Sequence, residues 1–268
     1  MTLSPLAQTI RTGLEKRRDR ARASGAQAYM KSAMPFYGVP MPALREVCQA
    51  AFDAFPLTMA ADWRRVIGEL WDQATHREER YAAIELAAHP PYQRFISLAL
   101  LPLYRRMVQE GAWWDYVDAL AHRVGVLLAT YPDRIKPTLR AWARHEHIWL
   151  RRVAILSQLD FGERTDVALL YDCIRPSLGS NEFFLRKAIG WALRTHAHAD
   201  PAEVRRFLAE TGQELSPLSR REAEKGLKTP AVRRAPKAAK PARKPVKKAA
   251  KPAAAKKGAR RPAARRSR

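Results

Sequence analysis

Apolar residues recur at intervals of three and four through nearly all of the first 228 positions, and that rhythm decides what the chain can fold into. After Trp113, the residues Trp114, Val117, Leu120, Ala121, Val124, Leu127 and Leu128 trace one stripe. Residues so spaced share a face of an α-helix, because each advances about 100°. Tyr131-Pro132-Asp133 ends the stripe at a proline, which marks a break in the pattern. The same reading predicts further helices at about 2–23, 42–53, 60–71, 76–88, 95–109, 132–144, 147–159, 182–197 and 219–227. Strand-like alternation is absent, and so are the Gly-rich turns of a nucleotide-binding α/β protein. The body is therefore all-α.

Helices of this length joined by short connections suit stacked antiparallel pairs, as in HEAT or armadillo solenoids, and a compact bundle is the other arrangement open to them. No repeat is strong enough to fix a period by inspection. A solenoid would curve and offer a concave face.

From Thr229 to Arg268 the pattern stops. This segment is almost wholly Ala, Pro, Lys and Arg, with no Trp, Tyr, Phe, Leu, Ile or acidic residue. It cannot bury apolar surface to offset its ordering entropy, so disorder is expected for 229–268 and one folded domain for 1–228. The tail holds 16 of the 49 Lys and Arg residues and accounts for +16 of the formal charge of +23. The body keeps a formal charge of +7, so the folded surface is itself suited to a polyanion. The run Ala-Lys-Pro-Ala-Arg-Lys-Pro-Val-Lys-Lys near 239–248 is similar in composition to linker-histone termini and should bind DNA with little sequence preference.

Cys48 and Cys173 are far apart, without metal-ligand spacing, and read as two buried reduced thiols. His145 with His147, and His196 with His198, are two apart and cannot share a helix face, so they read as solvated rather than as metal ligands. Glu78-Glu79, and Glu222 with Glu224, read as solvated helix faces. Trp63, Trp71, Trp142 and Trp149 fit packing stripes. No apolar run approaches the length of a membrane span, and charges enter from Arg11 onward, so a cytoplasmic, nucleoid-associated protein that meets no membrane is expected.

The least ordinary segment is Gly111-Ala112-Trp113-Trp114-Asp115-Tyr116-Val117-Asp118. Adjacent Trp residues fall on different sides of a helix, whereas Trp114 and Asp118, four apart, are neighbours. An aromatic plate beside a carboxylate suits a reaction that develops positive charge on a sugar. The same spacing also fits a core Trp with an exposed Asp, or Asp115 complementing the helix dipole. Ile148 to Leu156 contains Trp149, Arg151 and Arg152, and Lys187 to Arg194 places Trp191 and Arg194 three apart. Arg residues returning beside Trp residues could line a phosphate-gripping surface or be solvated neighbours of core Trp.

Together these segments resemble the DNA alkylation repair family, the AlkD-like DNA glycosylases. The resemblance begins at Ala28-Tyr29-Met30-Lys31 and Phe36-Tyr37-Gly38-Val39-Pro40, is strongest at Trp113 to Asp118, and continues through Ile148 to Leu156, Glu182-Phe183-Phe184, Ala188 to Arg194 and Leu215 to Ala223. It implies a right-handed superhelical stack of antiparallel helix pairs, a HEAT-like or armadillo-type solenoid. Its catalytic carboxylate falls on Asp118 and its lesion-facing aromatics on Trp114 and Trp191. Tyr29 matches a further residue lining that site. Its phosphate-binding arginines fall on Arg152 and Arg194, and helix rotation decides whether Arg152 or the adjacent Arg151 faces DNA. The implied reaction is hydrolysis of the N-glycosidic bond to cationic purines such as 3-methyladenine and 7-methylguanine in double-stranded DNA, by a monomer needing no cofactor. No lysine occupies the motif positions, which favours a monofunctional hydrolase leaving an abasic site. A noncatalytic helical-repeat DNA-binding protein with a compaction tail is the rival reading.

The two basic regions divide the work. Deleting residues 229–268 is expected to weaken binding to undamaged duplex DNA and flatten its salt dependence, read by fluorescence anisotropy, while single-turnover base release persists at saturating protein. Loss of base release on deletion would refute that division.

Overall fold

The computed structural model describes residues 3–228, and the expected basic tail lies outside the described residues. Thirteen α-helices occur among them, with short 3-10 turns between and no strand. They are α1 Pro5–Lys16, α2 Arg20–Met30, α3 Met41–Ala54, α4 Ala60–Asp72, α5 Arg77–Ala88, α6 Leu101–Gly111 and α7 Trp114–Thr130. The series continues with α8 Pro132–Ala143, α9 Ile148–Leu156, α10 Val167–Ile174, α11 Phe183–Ala197, α12 Pro201–Thr211 and α13 Pro217–Lys228.

Local signals explain most of the boundaries, including those the periodicity misplaced. The single helix expected at 2–23 is two, because Asp19 caps a new start by accepting the Arg22 N–H at 3.0 Å. The helix expected from 95 begins at Leu101, behind 3-10 turns at Pro90–Phe95 and Leu98–Leu100. Helix α10 is short and nearly all apolar, so it shows no stripe, while α12 opens on Asp200-Pro201, with Asp200 accepting the Glu203 N–H at 2.9 Å.

Helices α3, α5, α7, α9, α11 and α13 form one row in which each touches the next. Behind it pack α4 on α5, α6 on α7, α8 on α9 and α12 on α11. In this second row α4 and α6 part around a groove of about 920 Å³ lined by Arg64, Gly68, Asp72, Pro102 and Arg106. This is the helical-repeat architecture that the short, periodic helices predicted.

The core runs continuously between the rows, with Trp63, Trp71, Tyr104, Tyr116 and Phe207 fully buried. Trp142 and Trp149 are buried as their stripes required, and Cys48 and Cys173 are buried free thiols.

Three polar expectations are corrected. Glu78 and Glu79 are buried rather than solvated. The chain at Tyr37, Gly38 and Val39 has no ladder to join, and Glu78 accepts all three backbone N–H groups at 3.0, 2.8 and 3.1 Å. Glu79 accepts from Arg11 at 2.7 Å, the Tyr37 hydroxyl at 3.0 Å and the Thr75 hydroxyl at 2.8 Å. Buried carboxylates persist where they are paired and hydrogen-bonded in this way. His196 is buried as well, and burial pushes its imidazole below the usual histidine range. Glu222, the third, is discussed below.

The α7–α9 contact positions the candidate site and depends on one glycine. A Cβ on Gly125 would fall 2.4 Å from the Ser157 carbonyl oxygen. Gly125→Ala gains about 1 kcal/mol of helix propensity, but a backbone oxygen cannot rotate aside. A net loss of about 1–3 kcal/mol is expected from overpacking, read from the urea midpoint. An unchanged midpoint would mean that α9 yields.

Candidate active site

The site is set by the turn between α6 and α7. Ala112 closes α6 in the left-handed region, at φ 32°, and Trp113 is extended at φ −149°. The chain therefore reverses sharply and sends its two Trp side chains apart. Trp113 packs inward against Trp149 and Phe184, with ring centroids 6.0 and 5.4 Å away. Trp114, the first residue of α7, is half-buried and lines a groove of about 490 Å³ with Met30, Phe36, Met41, Tyr81 and Ala119.

Helix α7 carries two carboxylates three residues apart, about 60° around its axis, and each serves a different neighbour. Asp115 reaches back to α5, where Arg77 lies 2.5 Å away and the Tyr81 hydroxyl donates at 2.5 Å. Burial, reinforced by Asp115, pushes the Tyr81 hydroxyl far above its ordinary range, so it stays protonated as a donor. Asp118 reaches forward to α9. Arg152 donates from Nε to Oδ1 at 2.7 Å and from Nη2 to Oδ2 at 2.8 Å, a fork-on-fork pair. Its Nη1 donates to the Phe184 carbonyl at 2.6 Å, so one guanidinium ties α7, α9 and α11 together.

Exposure separates the partners. The Arg152 side chain is 6% exposed and that of Asp118 is 17% exposed, so the carboxylate is the member of the pair that solvent reaches. Arg152, expected to grip a phosphate, gives three of its five N–H groups to Asp118 and Phe184 and so also supports the carboxylate. Arg151 does not substitute for it, since it turns toward the α10–α11 connection and donates to the Ser177 hydroxyl at 2.9 Å and the Pro176 carbonyl at 3.1 Å.

The other candidate residues lie along the same row. Trp191 on α11 is half-buried against the core, and Arg194, three residues on, donates to Glu222 of α13 at 2.6 Å. Tyr29 is 76% exposed at the end of α2, whose Ala26 and Met30 wall the Trp114 groove. The structure thus joins Asp118 to Arg152 directly, places Trp114 on α7 and Trp191 with Arg194 on α11, the two helices that flank α9, and leaves Tyr29 on α2 standing clear. Arg77 went unnoticed in the sequence, and Phe184 and Glu222 were named there without these roles, because their partners lie on other helices, where no spacing rule applies. Among the described residues no group of three or more His, Cys, Asp or Glu could hold a metal ion, and no helix is long and apolar enough to cross a membrane.

Residues 10–245 match the DNA alkylation repair enzyme family. The chain belongs to that family. A solved structure described as a predicted DNA alkylation repair enzyme from Enterococcus faecalis is 32% identical, with a TM-score of 0.67 over 78% of this chain and 95% of that one. Comparison with curated proteins gives no match. Membership gives the chain a role in DNA repair.

Removing one member of a buried pair leaves the other uncompensated. Arg152→Met is expected to destabilise the fold by about 3–5 kcal/mol, measured by chemical denaturation. A loss below about 1 kcal/mol would show that α7, α9 and α11 hold together without the guanidinium.

Proposed function

We propose that the protein is a monofunctional DNA glycosylase that hydrolyses the N-glycosidic bond of cationic alkylated purines, 3-methyladenine and 7-methylguanine, in double-stranded DNA. The observation that carries this reading is the Asp118 carboxylate. It is held through both oxygens by a buried guanidinium, left partly open to solvent, and set four residues from Trp114 on a central helix of a DNA alkylation repair fold.

The chemistry follows from the substrate. Alkylation at a ring nitrogen leaves the purine positively charged, so it departs as a neutral base and needs little help from a general acid. The developing charge is on the sugar, as in other glycosidic cleavages with oxocarbenium-like transition states. A fixed carboxylate stabilises that charge without reorganising as it forms. Each carboxylate oxygen has a lone pair beyond the one Arg152 uses, which can orient the attacking water. Trp114 and Trp191 offer aromatic faces to a sugar that becomes cationic, and Arg194 faces the phosphate backbone. Arg152 acts as a positioning residue.

Purified protein incubated with methylated duplex DNA is expected to release both bases, detected by chromatography. Asp118→Asn should slow release by about 10²–10³-fold at temperatures where circular dichroism shows it folded. Release of neither base by the wild type would favour a noncatalytic docking module. Release by Asp118→Asn at the wild-type rate would remove the carboxylate from the chemistry.

A further inference from the structure

The stripe that holds Trp114 and Asp118 continues along α7 to a histidine. Trp114, Asp118 and His122 stand at intervals of four residues, so each lies over the next, about 6 Å along the helix. Val117, Leu120, Ala121 and Val124 between and beside them are fully buried, whereas the His122 side chain is 30% exposed. Like Asp118, His122 is met from the α9 side. Its Nδ1 lies 2.5 Å from Oδ2 of Asp160, four residues beyond the end of α9. The close approach of Gly125 to the Ser157 carbonyl holds that stretch of chain against α7.

A carboxylate accepts and does not donate, so Nδ1 is the donor and carries the ring proton. The neutral ring then keeps its lone pair on Nε2, the tautomer that an orienting carboxylate selects in hydrolytic triads. No described residue bonds Nε2, and it is not among the buried polar atoms without a partner, so solvent reaches it.

The proposed reaction needs a group of this kind. As water adds at C1′ the N-glycosidic bond breaks, and its electron pair passes to the purine and cancels the positive charge there. The base departs neutral without taking up a proton. A cationic nucleotide and water therefore give a neutral base, a C1′ hydroxyl and one proton left over. A neutral purine would carry that proton away; a cationic one leaves it to another acceptor. Asp118 already has a lone pair on each oxygen engaged by Arg152, whereas Nε2 of His122 is free.

We propose that His122 is a further catalytic residue, whose Nε2 takes the proton of the water that Asp118 orients, with Asp160 as its positioning residue. The C1′–O bond forms as a water O–H bond breaks, the proton passes to Nε2, and the imidazolium later returns it to solvent. One water bridging two side chains through two hydrogen bonds reaches about 5.6 Å, which matches the single turn between Asp118 and His122. The inference rests on the glycosylase reading.

The test is single-turnover release of 7-methylguanine from methylated duplex DNA by the full chain at saturating protein. His122→Ala is expected to slow release by about 10²-fold while affinity for the duplex, read by fluorescence anisotropy, holds. Added imidazole should restore the rate, and substituted imidazoles should do so in order of their basicity, an order that refilling a structural gap would not produce. Release at the wild-type rate, or a loss that imidazoles leave unrepaired or repair without regard to basicity, would overturn the proposal. A loss confined to affinity would make His122 a DNA contact and overturn it equally. Asp160→Asn, at a position 70% exposed, should also slow release, because its amide can donate to Nδ1 and so move the ring proton to Nε2. Should His122→Ala fail to fold, Asp160→Asn decides, and an unslowed rate there counts against the histidine. Wild-type release that both variants leave unimpaired would remove His122 and keep the glycosylase reading. A wild type that releases no base would remove that reading itself.

Discussion

The contact on which the site depends is the guanidinium of Arg152, buried between three helices and bonded to both oxygens of Asp118 and to the carbonyl of Phe184. A buried ion pair is weak evidence for stability, because desolvating two charges costs about as much as their attraction returns. What the pair provides is orientation. A free Asp on an exposed helix face samples several rotamers. Here the planar fork fixes the carboxylate in one, and the carbonyl of α11 fixes the fork. The geometry of α7, α9 and α11 is thereby written into the position of two oxygen atoms.

The same device recurs along the row with changed partners. Arg77 and Asp115 join α5 to α7, Asp118 and Arg152 join α7 to α9, and Glu222 joins α13 to α11. Between them the helices touch through small or apolar residues, closely enough at Gly125 and Gly190 that a methyl group would meet its neighbour. Each of these three carboxylates has a counter-ion on the next helix of the row. The apolar core between the two rows supplies cohesion, and the ionic links set register.

Much of this was legible in the sequence, and what was not shares one cause. Period, proline and Asp caps located most helices, and the four-residue spacing put Trp114 and Asp118 on one face. Local rules could not reveal that Glu78 satisfies the backbone of Tyr37 to Val39, forty residues earlier, or that Glu222 lies beneath Arg194. Those carboxylates carry the same local pattern as solvated ones. The likeness to DNA alkylation repair enzymes named Arg152 as a phosphate-binding residue without revealing its pairing with Asp118, since a motif keeps a residue's identity and not its partners on other helices. In the structure that residue also supports the carboxylate.

The pairing of Asp118 with Arg152 bears on which substrates such a site could process. A carboxylate paired fork-on-fork projects less field than a bare one, because the guanidinium cancels part of it at any distance beyond a few ångströms. One lone pair on each of its oxygens is already engaged. A site of this kind supplies modest electrostatic help and a place to hold water. Neutral purines, which need a proton before they can leave, would gain little from it. Cationic purines need only the sugar stabilised and water excluded from all but one direction. The pairing of Asp118 with Arg152 thus provides a physical reason for the proposed restriction to charged lesions, one that requires no direct reading of the base.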